Sequence, residues 1–312
     1  CFHSGQALGE ELGISRAAVW KKLRRWQQRG LSFDVIPGKG YRWRNPVEWW
    51  DERALRQYIR PEINKLIGQI QIEQRVDSTN NLAIDVLQSC HQSGVVCIAE
   101  EQTAGRGRRG RQWLAPLGAG FYGSIGWIFD DGVAALQGLS LAVGLAVAQA
   151  LDGEIGAPVG LKWPNDLMLG DAKLGGILIE MHLDGEGRCL VVVGVGVNMM
   201  LPPGVEQQVG RKIADLSGCA TKMAIQRNLI GARIIESVVA LLSDYGVGAF
   251  AGMREAWCRR DVLSNMPVEV HGGSGLESVG IARGVDVHGS LIVETPAGMK
   301  YINSGEVSLR GV

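Results

Sequence analysis

The run Gly105-Arg106-Gly107-Arg108-Arg109-Gly110-Arg111 sets four fixed positive charges on a backbone punctuated by glycine. Neither a helix nor a strand interior is favoured there, because each glycine loses extra conformational freedom on ordering. The same composition suits a loop that closes over phosphate: glycine lets main-chain N–H groups turn toward an anion, and guanidinium forks add planar, always-charged donors. At about 1–2 kcal/mol per residue, ordering such a loop costs on the order of 10 kcal/mol before any contact forms. It is therefore expected to be mobile when empty and ordered by a multiply charged ligand. A solvated basic loop has the same composition, but the flanks favour a built site. Apolar Val95–Ala99 reads as a strand feeding Glu100–Ala104, and Gln112-Trp113 leads into a second glycine-rich stretch, 118–126.

Bulk properties make any basic chemistry local. The 312 residues carry 32 Lys+Arg against 32 Asp+Glu, so no net field draws the chain to nucleic acid or membrane. The apolar stretch 138–151 falls short of the roughly 20 residues that a spanning helix needs, and no secretory signal opens the chain. A soluble, cytoplasmic protein with no membrane partner is expected. Cys1, Cys90, Cys97, Cys189, Cys219 and Cys258 form no C-x-x-C pair, and the five histidines are dispersed, so neither a zinc site nor a His-based triad is indicated. The 44 glycines are about twice the usual share, which points to backbone-lined loops.

Three segments follow along the chain. Ser4 caps a short helix to Leu12, Gly13 makes a tight turn, and Ser15 caps a helix over Arg16–Arg29 whose Val19, Leu23 and Trp26 share a face. Phe33–Ile36 and Tyr41–Trp43 flank the turn Pro37-Gly38-Lys39-Gly40 as a hairpin. Helix, turn, helix and ribbon make a winged helix-turn-helix over 1–46, with Ser15, Arg16, Ala17, Lys21, Lys22, Lys39 and Arg42 as DNA-binding candidates. Residues Arg24, Arg25 and Arg29 fall on the basic side with them; a merely solvated basic face is the alternative. The chain begins at Cys1, directly before its first recognisable helix, so the leading helix of such a domain is expected to be missing.

From Pro46 the composition changes. Residues 47–265 alternate helices (Trp49–Ile59, one after Asp77-Ser78-Thr79-Asn80, whose side chains can cap its N-terminus, and Leu139–Leu151) with strands (Ile70–Arg75, Val95–Ala99, Ile177–Met181, Leu190–Val197), a mixed α/β pattern. Residues 266–312 hold short strands with glycine turns (Val268–Val270, Val279–Gly284, Leu291–Glu294, Lys300–Ile302, Val307–Leu309), which predict a small SH3-like β-barrel. The fold class is α+β.

Two central segments bear chemistry beside the arginine loop. Lys162-Trp163-Pro164-Asn165-Asp166 presents a carboxylate at the end of a turn, where Asp166 either holds Mg²⁺ on a polyphosphate or caps the following Leu167-Met168. Lys173-Leu174-Gly175-Gly176 sets a point charge before two glycines that admit a ligand to the backbone, suited to a carboxylate becoming a mixed anhydride. In Val193–Asn198 glycines alternate with valines, leaving room for a flat ligand or for packing.

The strings DSTN (Asp77–Asn80), EQTAGRGRRGRQW (Glu101–Trp113), KWPNDL (Lys162–Leu167), KLGGILIE (Lys173–Glu180) and GVGVN (Gly194–Asn198) resemble those of biotin–protein ligases. With GISRAAVWK and VIPGKGY in the first segment, the whole chain is similar to the bifunctional biotin ligase and biotin-operon repressor family of bacteria. The resemblance implies that biotin's carboxylate attacks the α-phosphate of ATP, with Mg²⁺, giving biotinyl-5′-AMP and pyrophosphate. A lysine of the biotin carboxyl carrier protein of acetyl-CoA carboxylase then takes the biotinyl group. It implies catalytic roles for Lys173, Arg108, Arg106 and Lys162, and a biotin site of Ser78, Thr79, Asn80, Gln102, Gly105, Arg106, Arg108, Lys173, Gly176 and Gly194. It further implies a nucleotide site of Arg108, Arg109, Arg111, Trp113, Lys162, Asn165, Lys173, Asn198 and Ile213, with Asp166 at the metal. One departure stands out: 202–214 lacks the aromatic residue that the family places over adenine, and Ile213 occupies roughly that position. For regulation the resemblance implies a homodimer favoured by bound biotinyl-5′-AMP and binding operator DNA. Two rivals remain: a lipoate or octanoate transferase, and a ligand-sensing regulator with a dead ligase site.

Overall fold

The computed structural model describes all residues except 45, 131, 186, 220–224, 273–274, 304–307 and 312, so Asn45 of the expected linker and Val307 of the expected last strand lie outside the described residues. Helices α1 (Gly5–Leu12) and α2 (Arg16–Gln28) start at Ser4 and Ser15, whose hydroxyls accept from Ala7 N and Ala18 N. Gly13 takes the left-handed turn between them at φ 64°. Strands β1 (Phe33–Ile36) and β2 (Gly40–Trp43) form the hairpin, and His3 adds a bridge to Tyr41. The winged helix-turn-helix elements therefore stand where the capping and turn signals predict. An aromatic chain, Trp26–Phe33–Trp43–Trp49, joins α2 through the hairpin to the next segment, with ring centroids 6.3, 5.7 and 5.9 Å apart.

The middle of the chain opens with α3 (Glu52–Tyr58), capped by Asp51, and α4 (Pro61–Asn64), with proline in its first turn. Strand β3 (Gln69–Glu73), helix α5 (Thr79–Cys90) and strand β4 (Val95–Ala99) make the parallel crossover. There follow β5 (Gly120–Phe129), α6 (Leu139–Ile155), β6 (Gly160–Lys162), β7 (Asp166–Leu169), β8 (Ala172–Leu183) and β9 (Cys189–Asn198), then α7 (Val205–Val209), α8 (Arg227–Asp244) and α9 (Ala249–Cys258). The seven strands order as β3-β4-β5-β9-β8-β7-β6, antiparallel except for β3 and β4.

Both faces of this sheet are covered, which explains why β4 and β9 are almost wholly apolar. Val96, Ile98, Ile125, Val193 and Val195 enter the large core with α6 and α8. Val95, Cys97 and Val192 instead pack under Ala83 and Leu87 of α5. Strand β5 lies inside the sheet, between β4 and β9, although its sequence reads only as a glycine-rich stretch. The α5 face is left partly open, and the site forms there.

Strands β10 (Pro267–Gly272), β11 (Gly275–Val285), β12 (Leu291–Thr295), β13 (Gly298–Ile302) and β14 (Ser308–Gly311) form the C-terminal antiparallel sheet. Its order is β13-β12-β11-β10-β14; among the described residues no pairing joins β13 to β14, so the expected barrel closure is not seen. The sheet docks on the middle segment through Trp163, whose indole N–H donates to Gly289 O at 3.0 Å. Among the described residues no helix is long and apolar enough to cross a membrane.

Candidate functional site

The open side of the sheet holds a cavity of about 940 Å³ between the start of α5, the arginine loop, the β6–β7 turn and the segment around α7. Its neutral end is built on the α5 N-terminus, where Ser78, Thr79 and Asn80 are buried. These residues were expected to cap their own helix. Instead Gln102 does so from the neighbouring segment, its Oε1 accepting from Thr79 N at 2.8 Å and Thr79 Oγ1 at 3.1 Å. The Ser124 hydroxyl, from central β5, lies 2.7 Å from Thr79 Oγ1 and 2.6 Å from Asn80 Oδ1. Asn80 Nδ2 donates to Glu180 Oε2 at 2.7 Å. The result is a connected set of donors and acceptors, suited to a small polar ring rather than to a charged group.

The arginine loop is closed at its base by Trp113 N to Gly105 O (2.8 Å) and Gly107 N to Arg111 O (2.7 Å). Arg108–Gly110 form a 3-10 turn in which Arg109 adopts the left-handed conformation at φ 59°. Glycine at 196 is required by what lies over it: a Cβ there would meet Trp113 Cε2 at 2.8 Å, and one at 194 would meet Asn80 Oδ1 at 2.3 Å. The room expected above β9 for a flat ligand is thus taken by Trp113 and Asn80, while Gly194 and Gly196 still reach the cavity lining.

The opposite end is cationic. Asp166 opens β7 rather than capping a helix, and the register pairs it across the hairpin with Lys162. Lys173 Nζ is hydrogen-bonded to Asp166 Oδ1 and stands 5.7 Å from the Trp113 ring centroid. Among the described residues, Arg108, Arg109, Arg111, Lys162, Lys173 and Arg211 line the cavity here against the single carboxylate Asp166, with Arg106 nearer the neutral end. Burial lowers the pKa of Lys173 and of Lys162, partly offset by Asp166, and burial then the Arg109 guanidinium lower that of Arg108. Crowded, desolvated cations of this kind are relieved by an anion between them.

Not every candidate reaches the cavity. Gly105 is buried in the loop base, Asn198 donates from Nδ2 to Ala214 O at 3.0 Å, and Ile213 pairs along Lys173. These last two hold the 212–214 arm against β9 and β8 respectively. Asn165 does line the cavity, and its Nδ2 also ties the turn to Ile177 O at 2.7 Å. Arg106 points toward the neutral end, bonded to Asn81 Oδ1 at 2.7 Å and to Glu180. Among the described residues no three His, Cys, Asp or Glu side chains cluster as metal ligands, so Asp166 stands as one carboxylate. One carboxylate fits Mg²⁺ carried on a polyphosphate, the usual way that ion is held. Arg211 and Glu180 were not anticipated. The signals were present: Gly210-Arg211-Lys212 repeats the glycine-base device, and Glu180 lies two and four residues beyond Leu178 and Gly176, on the same face of β8.

In the N-terminal segment Ser15, Arg16, Ala17, Lys21, Lys22 and Lys39 are exposed on one lobe. Ser15 is engaged as the α2 cap. Arg42 pairs with Asp34 and lies over the Phe2 ring at 4.9 Å. Arg29 departs from the basic face and turns inward to Glu101.

Residues 72–198 match the Biotin/lipoate A/B protein ligase family, 264–310 the Biotin protein ligase C terminal domain, and 2–42 an HTH domain. The chain is 35% identical over 310 residues to the bifunctional ligase/repressor BirA of Salmonella typhimurium, covering 99% of this chain and 93% of that one. It is 36% identical over 310 residues to the protein of the same name from Escherichia coli, with the same coverage. The biotin protein ligase from Aquifex aeolicus in complex with biotin and ATP superposes with a TM-score of 0.63 at 25% identity, over 79% of this chain and 100% of that one. A match to this depth across both the helix-turn-helix and the ligase segments has one reading: the chain belongs to the bifunctional ligase/repressor family of biotin–protein ligases.

Proposed function

We propose that this protein is an ATP-dependent biotin–protein ligase that also acts as a biotin-responsive repressor of biotin-synthesis genes. The observation that carries the reading is one cavity with a neutral, hydrogen-bonding end at Ser78, Thr79, Asn80 and Gln102 and a cationic end at Arg108, Lys162 and Lys173. Such a cavity accepts a molecule with a polar ring and an acidic tail, and sets that tail beside a polyphosphate.

In the first step a carboxylate oxygen of biotin attacks the α-phosphorus of ATP. The bond to the bridging oxygen breaks, and pyrophosphate leaves with its electron pair. Both reactants are anions, so Arg106, Arg108, Lys162 and Lys173 offset their repulsion and hold them in line. Arg109, Arg111, Trp113, Asn165 and Arg211 serve the nucleotide, with Gly176 and Gly194 allowing close approach. Asp166 would hold Mg²⁺, which neutralises phosphate charge when bound. The arginine loop excludes water from the mixed anhydride. In the second step a neutral carrier lysine attacks the carbonyl carbon, AMP leaves, and the lysine's proton passes to solvent.

The working division is a DNA-binding segment over 1–46, a catalytic domain over 47–265 and a C-terminal module over 266–312. Through Trp163 the last of these buttresses the turn that bears Lys162 and Asp166. The partners are the biotin carboxyl carrier protein and operator DNA, with a homodimer as the repressing form, all in the cytoplasm. ATP–pyrophosphate exchange that depends on biotin, and not on lipoate, tests the ligase reading. Exchange with lipoate alone would replace it by the lipoate-transferase alternative, and absence of transfer to a carrier domain would leave only a regulator.

A further inference from the structure

We infer that Glu180, which no role above uses, is a positioning residue for biotin: it fixes which end of the Asn80 side-chain amide faces the ligand. This rests on reading the α5 N-terminus as the ring end of the biotin site. An ionised carboxylate has acceptors only, so the amide must turn its NH₂ toward Glu180. The contact is 2.7 Å from Asn80 Nδ2 to Glu180 Oε2, and a second, longer donation runs from Nδ2 to Leu178 O at 3.5 Å.

The other end of the amide is then committed to the cavity side as an acceptor. Thr79 spends its hydroxyl proton on Gln102, so Ser124 is left to donate toward Thr79 Oγ1 or Asn80 Oδ1. A carbonyl oxygen has two lone pairs, and Oδ1 keeps one for a ligand N–H. Biotin's ureido ring offers two N–H donors of this kind. The close approach of Oδ1 to β9 is possible because residue 194 is glycine.

Arg106 helps to hold the Glu180 carboxylate in place, its Nη2 lying 3.2 and 3.3 Å from the two oxygens. Without Glu180 the amide is free to turn over and present NH₂ to an N–H donor, a mismatch rather than a bond.

Isothermal titration of biotin into the full chain, with Glu180→Ala, Glu180→Gln, Asn80→Ala and the Glu180→Ala/Asn80→Ala pair, tests this. Glu180→Ala is expected to weaken biotin about tenfold, and Glu180→Gln, whose Oε1 still accepts from Nδ2, to recover most of that loss. The double variant is expected to bind no more weakly than Asn80→Ala alone, because coupled residues are not additive. The KM for ATP and the melting temperature of Glu180→Ala should stay near the wild-type values. Additive losses in the double variant, or failure of glutamine to rescue, would overturn the inference. Loss of biotin affinity by Asn80→Ala with none by Glu180→Ala would overturn it while leaving the ligase reading intact. No binding of biotin by the unmodified chain would remove both.

Discussion

Among single residues, Arg108 and Lys173 carry the most consequence. Arg108 sits at the turn of the loop, pressed by burial and by the Arg109 guanidinium, so a bound anion gains most from it. Arg108→Gly is expected to raise the release of biotinyl-5′-AMP tenfold or more, since both charge and closure are lost. A filter-retention assay on preformed intermediate reads this directly, and unchanged retention would refute the covering role. Lys173 predicts a pH effect. Its pKa lies below the usual 10.5 because burial disfavours the ammonium, so the needed positive charge is complete at lower pH and fades early as pH rises. The rate of pyrophosphate exchange should therefore fall on the alkaline side well before an exposed lysine would titrate. Lys173→Arg, permanently charged, should lower kcat through altered geometry but move that limb to higher pH, leaving the contribution of Lys162. An unmoved limb would assign the titration elsewhere.

At the level of elements, legibility followed the locality of the signal. Helices α1 and α2 and the β1–β2 hairpin were plain because serine caps, a left-handed glycine and a glycine-rich turn act within a few residues of one another. The glycine-rich β5 was obscure because its place is set by partners on both sides, β4 and β9, and not by its own propensity. Likewise Gln102 as cap of α5, and Trp113 and Asn80 over the glycines of β9, are contacts between distant segments that no local pattern reports. The cationic members of the site and Asp166 were legible, and Glu180, which pairs with Arg106, was not. The edge of the sheet holds another such case. Asp261 runs beside Leu161 of β6, is 8% exposed, accepts from Leu263 N through Oδ1 and has, among the described residues, no partner for Oδ2. Burial pushes its pKa up to about 6. The folded protein thus binds a proton that the unfolded chain has released above about pH 4, and this contribution to stability declines as pH rises from about 4 to 6. Asp261→Asn should flatten that window and raise stability at pH 7 by about 1–3 kcal/mol, read from urea melts at pH 5 and 7. A wild-type stability that does not fall between those pH values for this side chain would count against the buried-acid reading.

On the scale of the whole molecule, the helix-turn-helix touches the ligase body beside the neutral end of the cavity. Arg29 closes α2, and its guanidinium gives Nε and Nη2 to Glu101 Oε2 at 2.8 and 2.5 Å, with the two side chains 24% and 16% exposed. Glu101 also accepts through its backbone from Val76 N and immediately precedes Gln102, the residue that caps α5 in the ring end of the cavity. An ion pair between long side chains is worth little in open water, but one largely shielded and doubly hydrogen-bonded contributes about 1–2 kcal/mol. That is comparable to the whole coupling energy of typical allosteric systems. A ligand hydrogen-bonded to Gln102 would restrain it and its neighbours, so the position of α2 is expected to respond to ligand through Glu101. Arg29→Ala is expected to leave biotin-dependent pyrophosphate exchange within about twofold while removing the extra protection from proteolysis expected for segment 30–44 when biotin and ATP are bound. The charge-swapped pair Arg29→Glu/Glu101→Arg should restore part of that protection, which simple loss of packing would not. Ligand-dependent protection that persists in Arg29→Ala would show that the coupling runs through the aromatic chain from Trp26 to Trp49 instead, and would leave the ion pair a static clamp.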